Sequence, residues 1–248
     1  MTTALTVQLL QGDLSLPDLE IGQAIDIAHI PQKYNEKRLS AMITHLSGDA
    51  DIASRLTAQE RYYILLSHQS TTQHSYNGES VNEDYLIDTV QSDVPASYQV
   101  GDMVINHLRG AHVVVLEGIC ENVYDWLCGQ MACQISGDLS SIVGGLDEAL
   151  VWQEPPATMT DDELNQIIQE RVRFIGKLSA SRHHVFNELV EGYNAGMNQL
   201  AHFVALGNEN KGLTLIKQGG DGINEPARFL TLDHLQGAAK QLAECVAG

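Results

Sequence analysis

Residues 55–69 read RLTAQERYYILLSHQ. Thr57 and Glu60 stand at the spacing of a capping box. The hydroxyl accepts an orphan backbone N–H of the first turn, and the carboxylate reaches back to the N–H of the cap residue itself. Leu56, just before the cap, can staple onto the apolar stem of Arg61 or onto Tyr62, while Ile64 and Leu65 supply a buried stripe. The pattern predicts a helix over about 58–68.

Upstream, NEKRLSAMITHL at 35–46 places Leu39, Ile43 and Leu46 at steps of four and three, a helical face stopped by the Ser47-Gly48-Asp49 that follows. The opening LTVQLLQGDLSLPDLEIGQAIDIAHIP, residues 5–31, is broken by Gly12, Pro17, Gly22 and Pro31 and reads as two or three short strands with turns.

Downstream, residues 70–97 are polar with an Asn77-Gly78 turn, the pattern of an exposed loop or hairpin. HVVVLEG at 112–118 is valine-rich and predicts a buried strand. It runs into GICENVYDWLCGQMAC at 118–133, which holds three of the four cysteines. If this segment is helical, Cys120, Tyr124, Leu127, Cys128 and Met131 share one face, and a free cysteine there is a small hydrophobe. Cys133 then points away from Cys128.

Pro155 and Pro156 interrupt the chain before a second capping box, Thr160 with Glu163, backed by Asp161 and Asp162 at the favourable end of a helix dipole. A boundary is expected there, between a mixed α+β domain over 1–154 and a mainly helical domain over 155–248. Leu164, Ile167, Ile168, Val172 and Ile175 mark one helix. A second runs through Val185, Leu189, Tyr193, Met197, Leu200 and Val204, with the interruption at Ser179 and Ser181 and its end at Asn208. A strand at LTLIK (213–217), a glycine turn at 219–222 and a helix carrying Leu235, Ala239, Leu242 and Val246 complete the pattern. The fold class expected is α+β: a short β-rich N-terminal part followed by a mainly α-helical C-terminal half.

The chain has 248 residues, with 32 Asp and Glu against 14 Lys and Arg, a formal net charge of -18. A field of that sign repels phosphate backbones and anionic bilayers, so neither nucleic acid nor membrane is an expected partner. No run approaches the roughly 18 to 20 apolar residues that cross a bilayer, and no charged-then-apolar leader opens the chain.

Motifs that carry chemistry are missing. On one helix, Cys120 and Cys128 would lie two turns apart, about 12 Å, too far to share a zinc ion bound at about 2.3 Å. Adjacent His183 and His184 point about 100 degrees apart. No H-E-x-x-H, G-K-[ST] or G-x-S-x-G sequence occurs. No catalytic, cofactor-binding or metal-ligating residue is therefore assigned. The competing reading is a small-molecule enzyme of a class without a short motif, for which His112, Cys120 and Asp125 form the candidate cluster around a strand-to-helix junction.

The order of elements, with the segments at 55–66 and 118–135, resembles the small baseplate hub and tail-assembly proteins of tailed bacteriophages. An L-T-x-x-[ED]-R segment followed by apolar residues recurs in that family, and Leu56, Thr57, Glu60 and Arg61 match it here. Relatives of that kind carry closely paired thiols, a feature from which Cys120 and Cys128 depart. The resemblance implies a virion component or assembly factor, put together in the host cytoplasm. It implies no catalytic residues and no cofactor, and as partners other tail or baseplate proteins or further copies of the chain.

Overall fold

The computed structural model describes residues 5–74, 83–87, 94–144, 150–218, 226–228 and 231. The chain opens with an antiparallel hairpin, β1 (Leu5–Leu9) and β2 (Gly12–Leu16), with Leu5 opposite Leu16. Its inner face buries Val7, Leu9 and Leu16.

The next segment departs from the strand expectation: Ile21–His29 is a helix, α1. The breakers that argued for strands fall at its edges, with Pro17 before it, Pro31 after it and Gly22 in its first turn, where glycine costs least. Gln23 Oε1 accepts the Glu20 N–H at its start, and Arg38 Nε donates to the Ile30 carbonyl at its end, 2.7 Å. That last contact comes from the following helix and leaves no local trace in the sequence.

Helix α2 (Asn35–Ser47) buries Leu39, Met42, Ile43 and Leu46, as its spacing requires, and stops before Gly48. A single turn, α3 (Ile52–Arg55), leads into α4 (Ala58–His74), which outruns the expected helix by two turns or so. The capping box is in place: Thr57 Oγ1 accepts the Glu60 N–H at 3.1 Å and Glu60 Oε2 accepts the Thr57 N–H at 2.8 Å.

After a 3-10 turn at Glu83–Tyr85 come β3 (Ser97–Val100) and β4 (Met103–Asn106). The valine run predicted as a strand is instead helix α5 (Gly110–Ile119). Enclosed from Gly110 to Leu116 on nearly every side, it is apolar all round, so periodicity could not separate it from a buried strand. A second correction follows. Cys120 caps the C-terminus of α5, and the helix behind it, α6 (Val123–Gln134), starts anew from Asn122, whose Oδ1 accepts the Asp125 N–H. The five-residue face therefore does not exist as one stripe: Tyr124 is 44% exposed, whereas Cys128, Met131 and also Cys133 are fully enclosed.

The remaining elements are β5 (Ile135–Asp138), α7 (Ser140–Val143), β6 (Val151–Trp152), α8 (Asp161–Ser181), α9 (His183–Leu200), β7 (Ala205–Glu209), β8 (Gly212–Ile216) and β9 (Pro226–Ala227). Helix α8 begins at the second capping box, with Glu163 Oε2 accepting the Thr160 N–H at 3.0 Å. Helix α9 stops at Leu200, short of Val204, and Asn208 lies in β7. The break between the two helices falls at Arg182, next to the serines. The Asn77-Gly78 turn, the glycine turn at 219–222 and the expected helix over 235–246 lie outside the described residues.

Among the described residues all strand pairings are antiparallel, in sheets ordered β1-β2, β3-β4-β5-β6 and β7-β8-β9. The class is α+β, with most strands before residue 155 and the two longest helices after it. One buried cluster crosses residue 155, joining Leu116 and Met131 to Leu164, Ile168 and Leu189. Arg171 of α8 also donates to Ala132 O at 2.9 Å and Gln153 O at 2.6 Å. Among the described residues no helix is long and apolar enough to cross a membrane.

The start of α5 is pinned to the start of α4. Ala58 N–H donates to Leu108 O at 2.7 Å and Gly110 N–H to Leu56 O at 2.9 Å. The approach is so close that a Cβ on Gly110 would meet Ala53 O at 1.8 Å and Arg61 Nη1 at 2.6 Å, whereas one on Gly118, in the same helix, would meet nothing within 4 Å. Gly110→Ala should therefore cost about 3 kcal/mol through overpacking, and Gly118→Ala should stabilise by about 0.5–1 kcal/mol through backbone entropy. Urea midpoints of the two variants, moving in opposite directions, check this.

Candidate functional site

The residues matching the L-T-x-x-E-R segment do not face solvent. Leu56, Thr57, Glu60 and Arg61 are all buried, Arg61 completely. A guanidinium in that position must find acceptors, since leaving a charge unpaired in the interior is costly. Nη1 donates to Ser40 Oγ (2.9 Å) and Ala53 O (2.8 Å), and Nη2 to Glu36 O (2.9 Å) and Glu36 Oε2 (3.1 Å). Among the described residues, Nε alone of its nitrogens lacks a partner. Glu36, also buried, takes the Tyr62 hydroxyl on its other oxygen at 2.5 Å. Burial first, then the Glu36 charge, push the Tyr62 phenol well above its ordinary value. Glu60 meanwhile spends Oε1 on the Leu10 N–H, tying the hairpin to α4 at 2.9 Å.

On the other side of the cap lies His202. Its Nδ1 is 2.8 Å from Leu200 O, a pure acceptor, so Nδ1 carries the proton and Nε2 accepts. The Thr57 hydroxyl, 2.8 Å from Nε2, is then the donor. Burial lowers the His202 imidazole to about 4, which keeps it neutral in this role. His107 stands edge-on to it at 5.1 Å and is held by Pro95 O. Phe203, next in the chain, sits at φ 54°, a backbone conformation a bulky residue seldom adopts. Its ring is stacked on Tyr63 at 4.6 Å. A hydroxyl donating to imidazole is the arrangement of an activated nucleophile. Here Thr57 is 4% and His202 1% exposed, so the pair is enclosed, and it joins the helix cap to the end of α9.

His112, Cys120 and Asp125 do not converge. His112 is fully buried at the start of α5, accepting the Arg109 N–H on Nδ1 and donating to Pro155 O at 2.9 Å. Cys120 lies eight residues on, about 12 Å along the helix. Asp125, in the first turn of α6, accepts from Glu121 N and Asn122 Nδ2. The three cysteines Cys120, Cys128 and Cys133 are free thiols, and burial raises each thiol's pKa, that of Cys120 to about 12. Since Cys120 and Cys128 are on separate helices, the helix-axis separation does not govern their distance. Cys120 Sγ packs against Gly129, where a Cβ would be 3.4 Å away. Among the described residues no group of three His, Cys, Asp or Glu is placed to hold a metal ion.

No local pattern marks Glu117, which accepts the N–H groups of Glu36 (2.9 Å) and Lys37 (3.3 Å) at the open end of α2. It borders a cleft of about 750 Å³ with Lys33, Lys211, Arg228 and Cys120. Burial, then the neighbouring Glu36, raise its carboxyl to about 7. The i−80 spacing of such partners is invisible to any local pattern.

No family model, no curated protein and no solved structure matches this chain.

Two predictions rest on this geometry. Arg61→Met strands the Glu36 carboxylate and should cost about 3–5 kcal/mol. Adding Glu36→Gln should cost less than the two single changes together, read from urea denaturation as a double-mutant cycle. The second concerns pH. The folded state holds the Glu117 proton up to about 7 against an ordinary 4.5, so its stabilising contribution is complete below pH 4.5 and is lost as pH rises through 7. His202, lowered from 6.5 to about 4, contributes stability above pH 6.5 that is lost as pH falls through 4. Glu117→Gln should therefore gain stability relative to wild type as pH rises from 4.5 to 7, and should show the steeper loss in acid. A difference between the two proteins that is flat across this range contradicts the assignment.

Proposed function

We propose that the chain is a structural component or assembly factor of a bacteriophage tail or baseplate, acting by protein–protein contact without catalysis. Its partners in this reading are other tail or baseplate proteins or further copies of itself, with assembly in the host cytoplasm and a place in the virion. The observation that carries it is an inversion of where polar and apolar groups stand. The side chains with reactive potential are enclosed, Thr57 with His202 and Tyr62 with Glu36 spent on one another and His112 on backbone groups, while large apolar groups stand outside. Ile21 and Ile25, one turn apart on α1, are 60% and 51% exposed, and Ala28 continues that face. An apolar helix face on an acidic protein supports docking, since the apolar area removed from water stabilises a contact that the net charge would oppose between free copies. The four residues of the L-T-x-x-E-R segment, all buried, support the resemblance in a further way: their chemistry is structural.

A tagged chain expressed during phage infection should co-sediment with tail particles or tail subassemblies, and Ile21→Glu/Ile25→Glu should reduce the bound fraction at least tenfold while leaving the melting temperature unchanged. A homogeneous monomer with no association to tail particles rules the reading out.

A further inference from the structure

Beside the first turn of α4 runs a cleft of about 440 Å³ bounded by α6, α9 and β7. Among the described residues no Asp, Glu, Lys or Arg lines it, in a chain with 32 acidic and 14 basic residues. Carboxamides take their place: Gln59, Gln130, Gln134, Asn194, Asn198 and Asn208.

Only part of that set is used internally. Gln134 is a fixed floor, accepting the Tyr193 hydroxyl at 2.7 Å and donating to Asn106 O at 2.8 Å. Asn208 Nδ2 donates to Gln130 Oε1 at 2.8 Å. Among the described residues this leaves the buried Asn208 Oδ1 acceptor without a partner. The side chains of Gln59, Asn194 and Asn198 have no hydrogen-bond partner among the described residues. Gln59 occupies one of the two variable positions of L-T-x-x-E-R, so the Thr57–Glu60 capping box that buries its neighbours also fixes where Gln59 stands.

The chemistry of the lining selects its ligand. An anion would need a cation and a cation a carboxylate; among the described residues the lining has neither, its one imidazole, His107, being pushed by burial toward the neutral form. A sugar ring would rest on an open aromatic face, but Tyr193 is buried with its hydroxyl committed to Gln134. A carboxamide presents one donor and one acceptor side by side, the complement of a peptide group. Asn194 and Asn198 are one helical turn apart, about 6 Å along α9, and an extended chain repeats its like-facing peptide groups every two residues, about 6.6 Å. Successive carboxamides can thus meet successive peptide groups on one side of an extended segment. We infer that this cleft binds an extended, uncharged peptide segment of a partner protein. The inference rests on the reading of the chain as an interaction protein and names the chemistry of its partner.

The test is affinity selection of a random nine-residue peptide library on the immobilised full-length chain, with a glycan array run in parallel. Asn194→Ala/Asn198→Ala serves as the variant, since both side chains are exposed. Enriched peptides should be poor in Asp, Glu, Lys and Arg, and should bind the double variant at least tenfold more weakly, with its melting temperature equal to that of wild type. No enrichment, enrichment of charged sequences, binding indifferent to the double variant, or capture of oligosaccharides instead would each overturn the inference. Wild-type chain that co-sediments with tail particles yet selects no such peptide overturns this inference alone; wild-type chain that fails to co-sediment overturns the reading beneath it.

Discussion

A guanidinium with no access to water organises the first half of this chain. Arg61 cannot be deprotonated, and in the interior its charge must be matched and its donors satisfied where they stand. The acceptors come from α2 (Glu36, Ser40) and α3 (Ala53), so the orientation of three helices is set by one planar group. The same demand explains the glycine at 110: Ala53 O, held toward Arg61, fills the space a side chain there would need. Tyr62 and Glu60, on either side of Arg61 in sequence, extend the constraint to Glu36 again and to the hairpin at Leu10.

The three buried histidines near this ion pair are held neutral. His107, His112 and His202 are all pushed by burial toward the uncharged form, and each finds a backbone carbonyl for its one proton. Neutral imidazoles bring acceptors as well as donors, and His202 uses its acceptor to fix the Thr57 hydroxyl. The left-handed Phe203 is the conformational cost of placing that ring, offset by the stack on Tyr63. The result joins the end of α9 to the cap of α4 across 145 residues. The polar groups of this node are thus largely committed to one another and to backbone groups, Arg61 Nε excepted among the described residues.

What the sequence disclosed was local. Both capping boxes could be read because their partners are three residues apart, and α2 because its stripe repeats on one side. Helix α5 was misread for a physical reason: a helix buried all round has no polar face to reveal its period, and valine favours strands. Helix α1 depended on Arg38, and the supposed cysteine stripe failed because Asn122 starts a new helix between Cys120 and Cys128. Of the node, Thr57, Glu60 and Arg61 were visible as a helix start, but their roles were not, since Glu36 and His202 are brought in by tertiary folding. The carboxamide cleft was equally hidden: glutamine and asparagine scattered over four elements form no motif until the chain is folded.

That the Arg61 node ties α2, α3, α4 and α5 into a single cooperative unit is tested most directly by native-state hydrogen exchange. The amides of Ala58, Arg61 and Gly110, which donate to Leu108, Thr57 and Leu56, should exchange only through global unfolding, with denaturant dependence equal to that of the whole chain. Exchange of these three amides through a local opening that is insensitive to denaturant, while the α8 and α9 amides stay protected, would contradict the account.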